Sequence, residues 1–129
     1  MSYRIPTSSP DYNSTGAIGN LDLVFGVQVA AANGAITVKE GTVFLTKAGV
    51  AAMTLAVPTA GLPSAGGDDG RELTVIDTTG NAHTVTTPAS GINGNKHIAT
   101  FGATVGQFGT FLAYNGAWYL TAQSGVTLT

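Results

Sequence analysis

The most reactive side chains of this sequence are two histidines, and their spacing does not match a known catalytic or metal-binding motif. His83 and His97 are the only histidines, and neither has a nearby carboxylate at ligand spacing. A transition-metal site would need both histidines together with acidic residues from distant parts of the chain. We therefore predict that each is a structural or surface residue on a strand and that the protein binds no metal.

One acidic cluster, Asp68-Asp69-Gly70 followed by Glu72 and Asp77, could in principle supply oxygen ligands to calcium. It lacks the alternating acidic spacing of the twelve-residue calcium loop. Nothing in the spacing indicates that two carboxylates face each other across a cleft, as glycoside hydrolysis requires. We predict a solvated loop tip in which Gly70 occupies a turn.

The sequence contains no recognisable nucleophile or phosphate-binding motif. Its serines fall in turns or near the N-terminus, and the glycine-rich residues 66–70 lack the lysine and following helix of a phosphate-binding loop. Zero cysteine excludes thiolate zinc sites and cysteine nucleophiles. We predict a non-enzymatic protein with no catalytic residues, no cofactor and no small-molecule ligand.

Charge is scarce along the whole chain of 129 residues. Charged residues make up 9% of it, whereas soluble domains typically contain about 25%. A protein surface with so few charged residues favours burial against partners.

The basic residues form no cluster, which argues against nucleic-acid binding. They are Arg4, Lys39, Lys47, Arg71 and Lys96.

Hydropathy gives no indication of a membrane partner. No apolar stretch approaches the length of a membrane span, and the first residues lack the apolar core of a signal peptide. We expect synthesis in the cytoplasm.

Residues 1–20 are predicted to form an extended N-terminal arm, because they contain many Pro, Gly, Ser and Thr residues and few apolar anchors. Such a segment is either mobile or ordered by a partner. Tyr3, Arg4 and Tyr12 are the arm residues that we expect to contact that partner.

Residues 21–129 are predicted to form a single all-β domain, an antiparallel β-sandwich or barrel-like fold. Short runs rich in Thr, Val, Ile and aromatic residues alternate with Gly, Asn, Asp and Pro. Turn residues at Thr79-Gly80-Asn81 and at Asn115-Gly116 predict antiparallel hairpins. The sequence shows no regular repeat. The predicted strands are Leu21–Val29, Ile36–Val38, Thr42–Thr46, Ala51–Val57, Glu72–Asp77, His83–Thr87, Ile98–Phe101, Thr110–Tyr114, Ala117–Gln123 and Val126–Leu128.

The hairpin predicted around Asn115-Gly116 carries four large aromatic residues. Trp118 and Tyr119 are adjacent in a strand, so they must point to opposite faces of the sheet. We predict that Trp118 is in the core and that Tyr119 and Phe111 lie at a contact with another subunit or with another partner. Two loops, residues 58–70 and 88–95, are further candidate contact surfaces.

Six segments between about residues 35 and 123 combine strand-like runs with an Asp-Gly turn and an Asn-Gly-x-Trp-Tyr motif. They are Ile36–Val38, Leu45–Gly49, Ala51–Pro58, Asp69–Asp77, His83–Thr87 and Tyr114–Tyr119. Together these segments resemble small structural proteins of tailed bacteriophages. In that group the succession of a strand, Asp-Gly, a second strand and Asn-Gly-x-Trp-Tyr recurs in capsid decoration (cement) proteins, head fibres and parts of tail fibres.

The resemblance implies a β-rich homotrimer on the virion. We expect the protein to bind the outer surface of a phage capsid and to stabilise the head, with the major capsid protein and copies of itself as partners. The alternative is a tail-fibre, head-fibre or baseplate module that attaches to the host surface, including its glycans.

Overall fold

A computed structural model describes residues 26–129 and shows an all-β protein, which confirms the predicted fold class. The predicted arm and its residues Tyr3, Arg4 and Tyr12 lie outside the described residues. One short 3-10 turn, Pro63–Ala65, lies between the fourth and fifth strands. The strands are β1 Gly26–Ala30, β2 Gly34–Ile36, β3 Gly41–Leu45, β4 Ala52–Leu55, β5 Glu72–Asp77, β6 Thr84–Thr86, β7 Ile98–Phe101, β8 Phe108–Tyr114, β9 Ala117–Ser124 and β10 Val126–Leu128.

The strands form two five-stranded sheets that pack against each other. The order in the first sheet is β1-β3-β5-β8-β9, and the order in the second sheet is β10-β7-β6-β4-β2. The first six strands alternate between the sheets, so each neighbouring pair within a sheet is separated by a strand of the other sheet. Because the chain returns to each sheet in the same direction, β1, β3 and β5 pair in parallel, as do β2, β4 and β6.

The last four strands complete both sheets with antiparallel pairs. Strand β7 pairs with β6 and β10, while β8 pairs with β5 and β9. The predicted antiparallel pairing is therefore wrong for the first half of the domain, and the sheets are mixed. They are two open layers and do not close into a barrel.

The two predicted hairpins have different outcomes. Asn115 and Gly116 both have positive φ, at 49° and 83°, and join β8 to β9 in an antiparallel hairpin as predicted. Thr79-Gly80-Asn81 instead forms a corner between β5 of the first sheet and β6 of the second. Turn residues permit a reversal but do not specify whether the next strand pairs with the previous one or crosses to the facing sheet.

The core lies between the two sheets and is built from alternate residues of each strand. The first sheet contributes Val43, Leu45, Leu73, Val75, Phe111 and Trp118, and the second contributes Met53, Leu55, Val85, Ala99, Phe101 and Val126. All are buried, as the period of two requires for an inward-facing strand position. The side chains at the outward-facing positions do not pack in this core.

Local side-chain and loop contacts protect two of the sheet edges. At β2, the Gln28 amide donates to the Ala35 carbonyl at 2.9 Å and accepts from the Thr37 N–H at 2.7 Å. At β9, residues of the predicted 88–95 loop lie alongside the strand, and the backbone N–H of Trp118 donates to the Gly91 carbonyl at 2.8 Å. Such contacts protect an edge against pairing with another chain.

Candidate interaction surface

The outer face of the first sheet carries a row of large apolar side chains across four adjacent strands. Val29 pairs with Phe44, Phe44 with Ile76, and Ile76 with Phe108 in the strand register. Directly paired residues point to the same side of a sheet, so the four side chains form one continuous row. We call Val29, Phe44, Ile76 and Phe108 the apolar row. Val29 is 61% exposed, and the other three are partly exposed.

A second row of small and β-branched residues lies beside the apolar row on the same face. It consists of Val27, Thr42, Thr74, Thr110 and Ala122. The hydroxyls of Thr74 and Thr110 hydrogen-bond to each other at 3.1 Å. These two hydroxyls can therefore be covered by another surface with a smaller desolvation penalty than unpaired ones.

Charge begins only at the border of this face. The next row places Glu72 beside Leu112, which in turn pairs with the half-exposed Tyr119. Neither of the two preceding rows contains a charged residue. We call the apolar row and the second row together the apolar face.

The outer face of the second sheet is different in composition. One row across it contains Ala52, Thr84, Thr100 and Thr127, and the other contains Ala35, Thr54, Thr86 and Ile98. Threonine satisfies the conformational preference of a strand while presenting a hydroxyl to water. We call this the threonine face.

Of the five predicted contact residues, the structure describes two. Tyr119 is 39% exposed on the outer side of the first sheet, and its role as a contact stays a prediction. Phe111 has an exposed fraction of 0% and lies in the core, so the contact predicted there is wrong. The reason is the strand period, because Phe111 shares the inward side of β8 with Ala113.

Trp118 lies inside, as predicted. It is 2% exposed, and its indole N–H donates to the Ala56 carbonyl at 2.9 Å. A small apolar cleft of about 150 Å³ lies beside it, lined by residues that include Ile36, Leu55 and Pro58. This volume is below the range of about 300–1,000 Å³ that is typical for small-molecule sites.

The structure reveals a buried polar cluster around His83 that the sequence spacing did not predict. His83 Nε2 lies 3.1 Å from Asp77 Oδ1 and 2.9 Å from Thr79 Oγ1, and Ala51 N–H donates to His83 Nδ1 at 2.9 Å. The corner after β5 brings His83 back beside Asp77, and its buried, hydrogen-bonded ring agrees with the predicted structural residue. His97 is exposed.

The contacts of His83 define a structural role. A catalytic histidine needs one ring nitrogen oriented by the protein and the other within reach of a substrate. Both ring nitrogens of His83 are already engaged, and the ring is fully buried. Since Ala51 precedes β4 while Asp77 ends β5, the ring links strands of the two sheets.

Asp68 also differs from its prediction, because it is buried and not part of a solvated tip. Its carboxylate accepts from Thr59 N–H at 2.8 Å and from Arg71 Nε at 2.9 Å, and Lys39 Nζ lies 3.5 Å away. The Thr59 hydrogen bond holds the pKa of Asp68 below its ordinary value of 3.8, burial acts in the opposite direction, and Lys39 and Arg71 lower the pKa further. Gly70 lies in a turn as predicted, with φ 89°.

These contacts make the long loop an ordered part of the domain. Asp69 Oδ1 accepts from Asn115 N–H at 2.8 Å, and Gly70 N–H donates to the Ala113 carbonyl at 2.8 Å. The loop is thereby joined to the β8–β9 hairpin. Among residues 26–129, no group of three or more His, Cys, Asp and Glu side chains is arranged to hold a metal ion.

The part of the chain that the structure describes contains no helix long and apolar enough to cross a membrane. The chain matches no protein-family model and no curated protein sequence.

Proposed function

We propose that this chain is a non-enzymatic structural protein of a tailed-bacteriophage virion, which binds the outer surface of the capsid as a decoration protein and stabilises the head. Its partners are the major capsid protein and copies of itself, assembled as a homotrimer. It is made in the host cytoplasm and resides on the capsid surface. The resemblance of residues 35–123 to phage structural proteins motivates the virion assignment.

The apolar face is the single observation that carries the assembly part of the proposal. Four partly exposed large apolar residues form a continuous row on one side of a sheet. Contiguous exposed apolar patches often mark binding surfaces. The low charge of the chain agrees with this, because a surface that is buried in an assembly has little need of charge for solubility.

An oligomer suits capsid binding for a further reason. A capsid presents many identical sites, and linked copies bind such an array more tightly than one copy does, because the second contact is intramolecular. Modest contacts on each copy are then sufficient. The proposed function therefore does not require a deep pocket.

Immunogold labelling of intact virions tests the virion assignment. Antibodies against the full chain should place gold over the heads of the phage that encodes it. Gold on the tail, on fibre tips or at the baseplate would contradict decoration and support the alternative of a host-attachment module. Virions without any label would overturn the virion assignment itself.

Heating of heads tests the stabilising role. Heads assembled without the protein should release their DNA at a lower temperature than heads to which the purified full chain has been added back. Equal release temperatures would contradict stabilisation.

Removal of residues 1–20 tests the predicted role of the arm. The described strands begin at Gly26, so the truncated chain retains every one of them and should fold. We expect it to sediment with capsids far less than the full chain does. Unchanged co-sedimentation would show that Tyr3, Arg4 and Tyr12 are not needed for capsid binding.

A further inference from the structure

We propose that the apolar face is the surface through which copies of this chain bind one another, with the apolar rows of neighbouring copies in contact around a symmetry axis. The inference rests on the proposed self-association and assigns a surface to it.

The apolar row is continuous in the strand register. Val29, Phe44, Ile76 and Phe108 are direct neighbours on four consecutive strands, so their side chains line one continuous strip across the sheet. None of these positions contributes to the core between the sheets. Apolar side chains that stay partly exposed in one copy gain further stabilisation when a partner covers them.

The apolar face carries no charge that an interface would have to desolvate. The apolar row and the row from Val27 to Ala122 contain no charged residue. Such a face offers no charge complementarity to a charged partner, and burying it costs no desolvation of a charge. A second copy presents the same uncharged rows and is therefore the partner whose surface matches it.

The outer side of the first sheet sets the area that one copy can offer to another. Five strands at about 4.8 Å spacing, each of five to eight residues at about 3.3 Å, give an area on the order of 500 Å². Two copies that face each other over the whole of this side would bury on the order of 1,000 Å² in total, which is where specific interfaces start. The interface therefore has to extend beyond the apolar face to its border, where Glu72, Leu112 and Tyr119 lie.

Sedimentation equilibrium on the full chain tests this surface directly. Val29→Lys places a charge on the apolar row at a residue that is 61% exposed within one copy, so the chain should still fold. Thr54→Lys places the same charge on the threonine face, at an exposed position of β4, and is the matched control. Ile76→Thr is a second variant that adds no charge and keeps a β-branched side chain at the centre of the row.

We expect the wild-type chain and Thr54→Lys to form the same oligomer. Val29→Lys and Ile76→Thr should raise its dissociation constant about ten- to hundredfold, because each replaces a buried apolar contact. Unchanged circular dichroism of each variant would show that the sheets are intact.

The possible failures are distinguishable. If the wild type assembles and both face variants assemble equally well, the copies bind through another surface and this inference is overturned while self-association stands. If the wild type stays monomeric at every concentration, the proposed self-association fails and the inference fails with it. The immunogold result is independent of either outcome.

Discussion

The two sheets of this protein share one core, yet their outer faces have different compositions. Both are five-stranded, and in both a parallel three-strand unit continues into antiparallel strands. The outward positions of the second sheet are mainly threonine and alanine, whereas those of the first sheet include Val29, Phe44, Ile76 and Phe108. Because threonine is sufficient to form strands on one side, strand formation alone does not explain the large apolar residues on the other. The difference motivates the proposed partner on the apolar face.

The inward and outward sides of β9 should show the largest contrast in folding stability. Trp118→Ala removes a buried ring and the hydrogen bond to the Ala56 carbonyl, so we expect a loss of about 3–5 kcal/mol in the free energy of unfolding. Tyr119→Ala, on the outer side of the same strand, should change it by less than about 1 kcal/mol. Denaturant unfolding measures both. Similar losses would mean that Tyr119 contributes to the fold as much as Trp118 does.

The corner that joins the two sheets should give the next largest effect. His83→Ala leaves the buried Ala51 N–H without its acceptor and opens a cavity, so we expect about 2–4 kcal/mol of destabilisation. His97→Ala is the matched control on an exposed residue and should stay within about 0.5 kcal/mol. Thermal unfolding measures the midpoint temperature of each variant. Equal midpoint temperatures for the two variants would contradict the structural role of His83.

Asp68 should make a smaller contribution that depends on pH. Asp68→Asn removes the charge that binds Thr59 N–H and Arg71, and we expect about 1–3 kcal/mol of destabilisation at neutral pH. The pKa of Asp68 is lowered in the folded state, so its contribution is present above the ordinary value of 3.8 and is lost as the pH falls through the folded-state pKa.

The gap in stability between wild type and Asp68→Asn should therefore shrink below pH 3.8. Urea unfolding at neutral and acidic pH checks this. A gap that is constant with pH would show that the loss comes from packing and not from the charge.

The smallest effect on folding should come from making the threonine face resemble the apolar face. The double variant Thr54→Val and Thr86→Val keeps β-branched side chains at two paired positions of β4 and β6. We expect the free energy of unfolding to change by less than about 1 kcal/mol. The variant should nevertheless form larger assemblies than the wild type in light scattering, because it gains a second apolar surface. Unchanged assembly size would weaken the link between face composition and association.

Much of the secondary structure was predictable from local pattern. Each predicted strand overlaps an observed one, and Glu72–Asp77, Ile98–Phe101 and Val126–Leu128 match β5, β7 and β10 at both ends. The period of two also gives the inward position of Trp118. These features depend on neighbouring residues, which a sequence displays directly.

Sheet topology and the candidate surface were not predictable in the same way. Parallel pairing of β3 with β5 depends on β4 crossing to the other sheet between them. The long loop before β5 interrupts the spacing of the strands, so their alternation between the two sheets is not visible in the sequence. The apolar row joins Val29 to Phe108, which are far apart in sequence. Phe44 and Ile76 look like ordinary strand residues until the register shows that they face away from the core.

Protection of a single cysteine tests most directly the claim that copies meet through the apolar face. The chain has no cysteine, so Val29→Cys and Thr54→Cys each introduce one reporter thiol, on the apolar and the threonine face respectively. At concentrations where the protein is assembled, the account predicts that a thiol reagent modifies position 29 much more slowly than in dilute monomer, while position 54 reacts equally fast in both. Equal, undiminished reactivity at position 29 in the assembled protein would contradict the account.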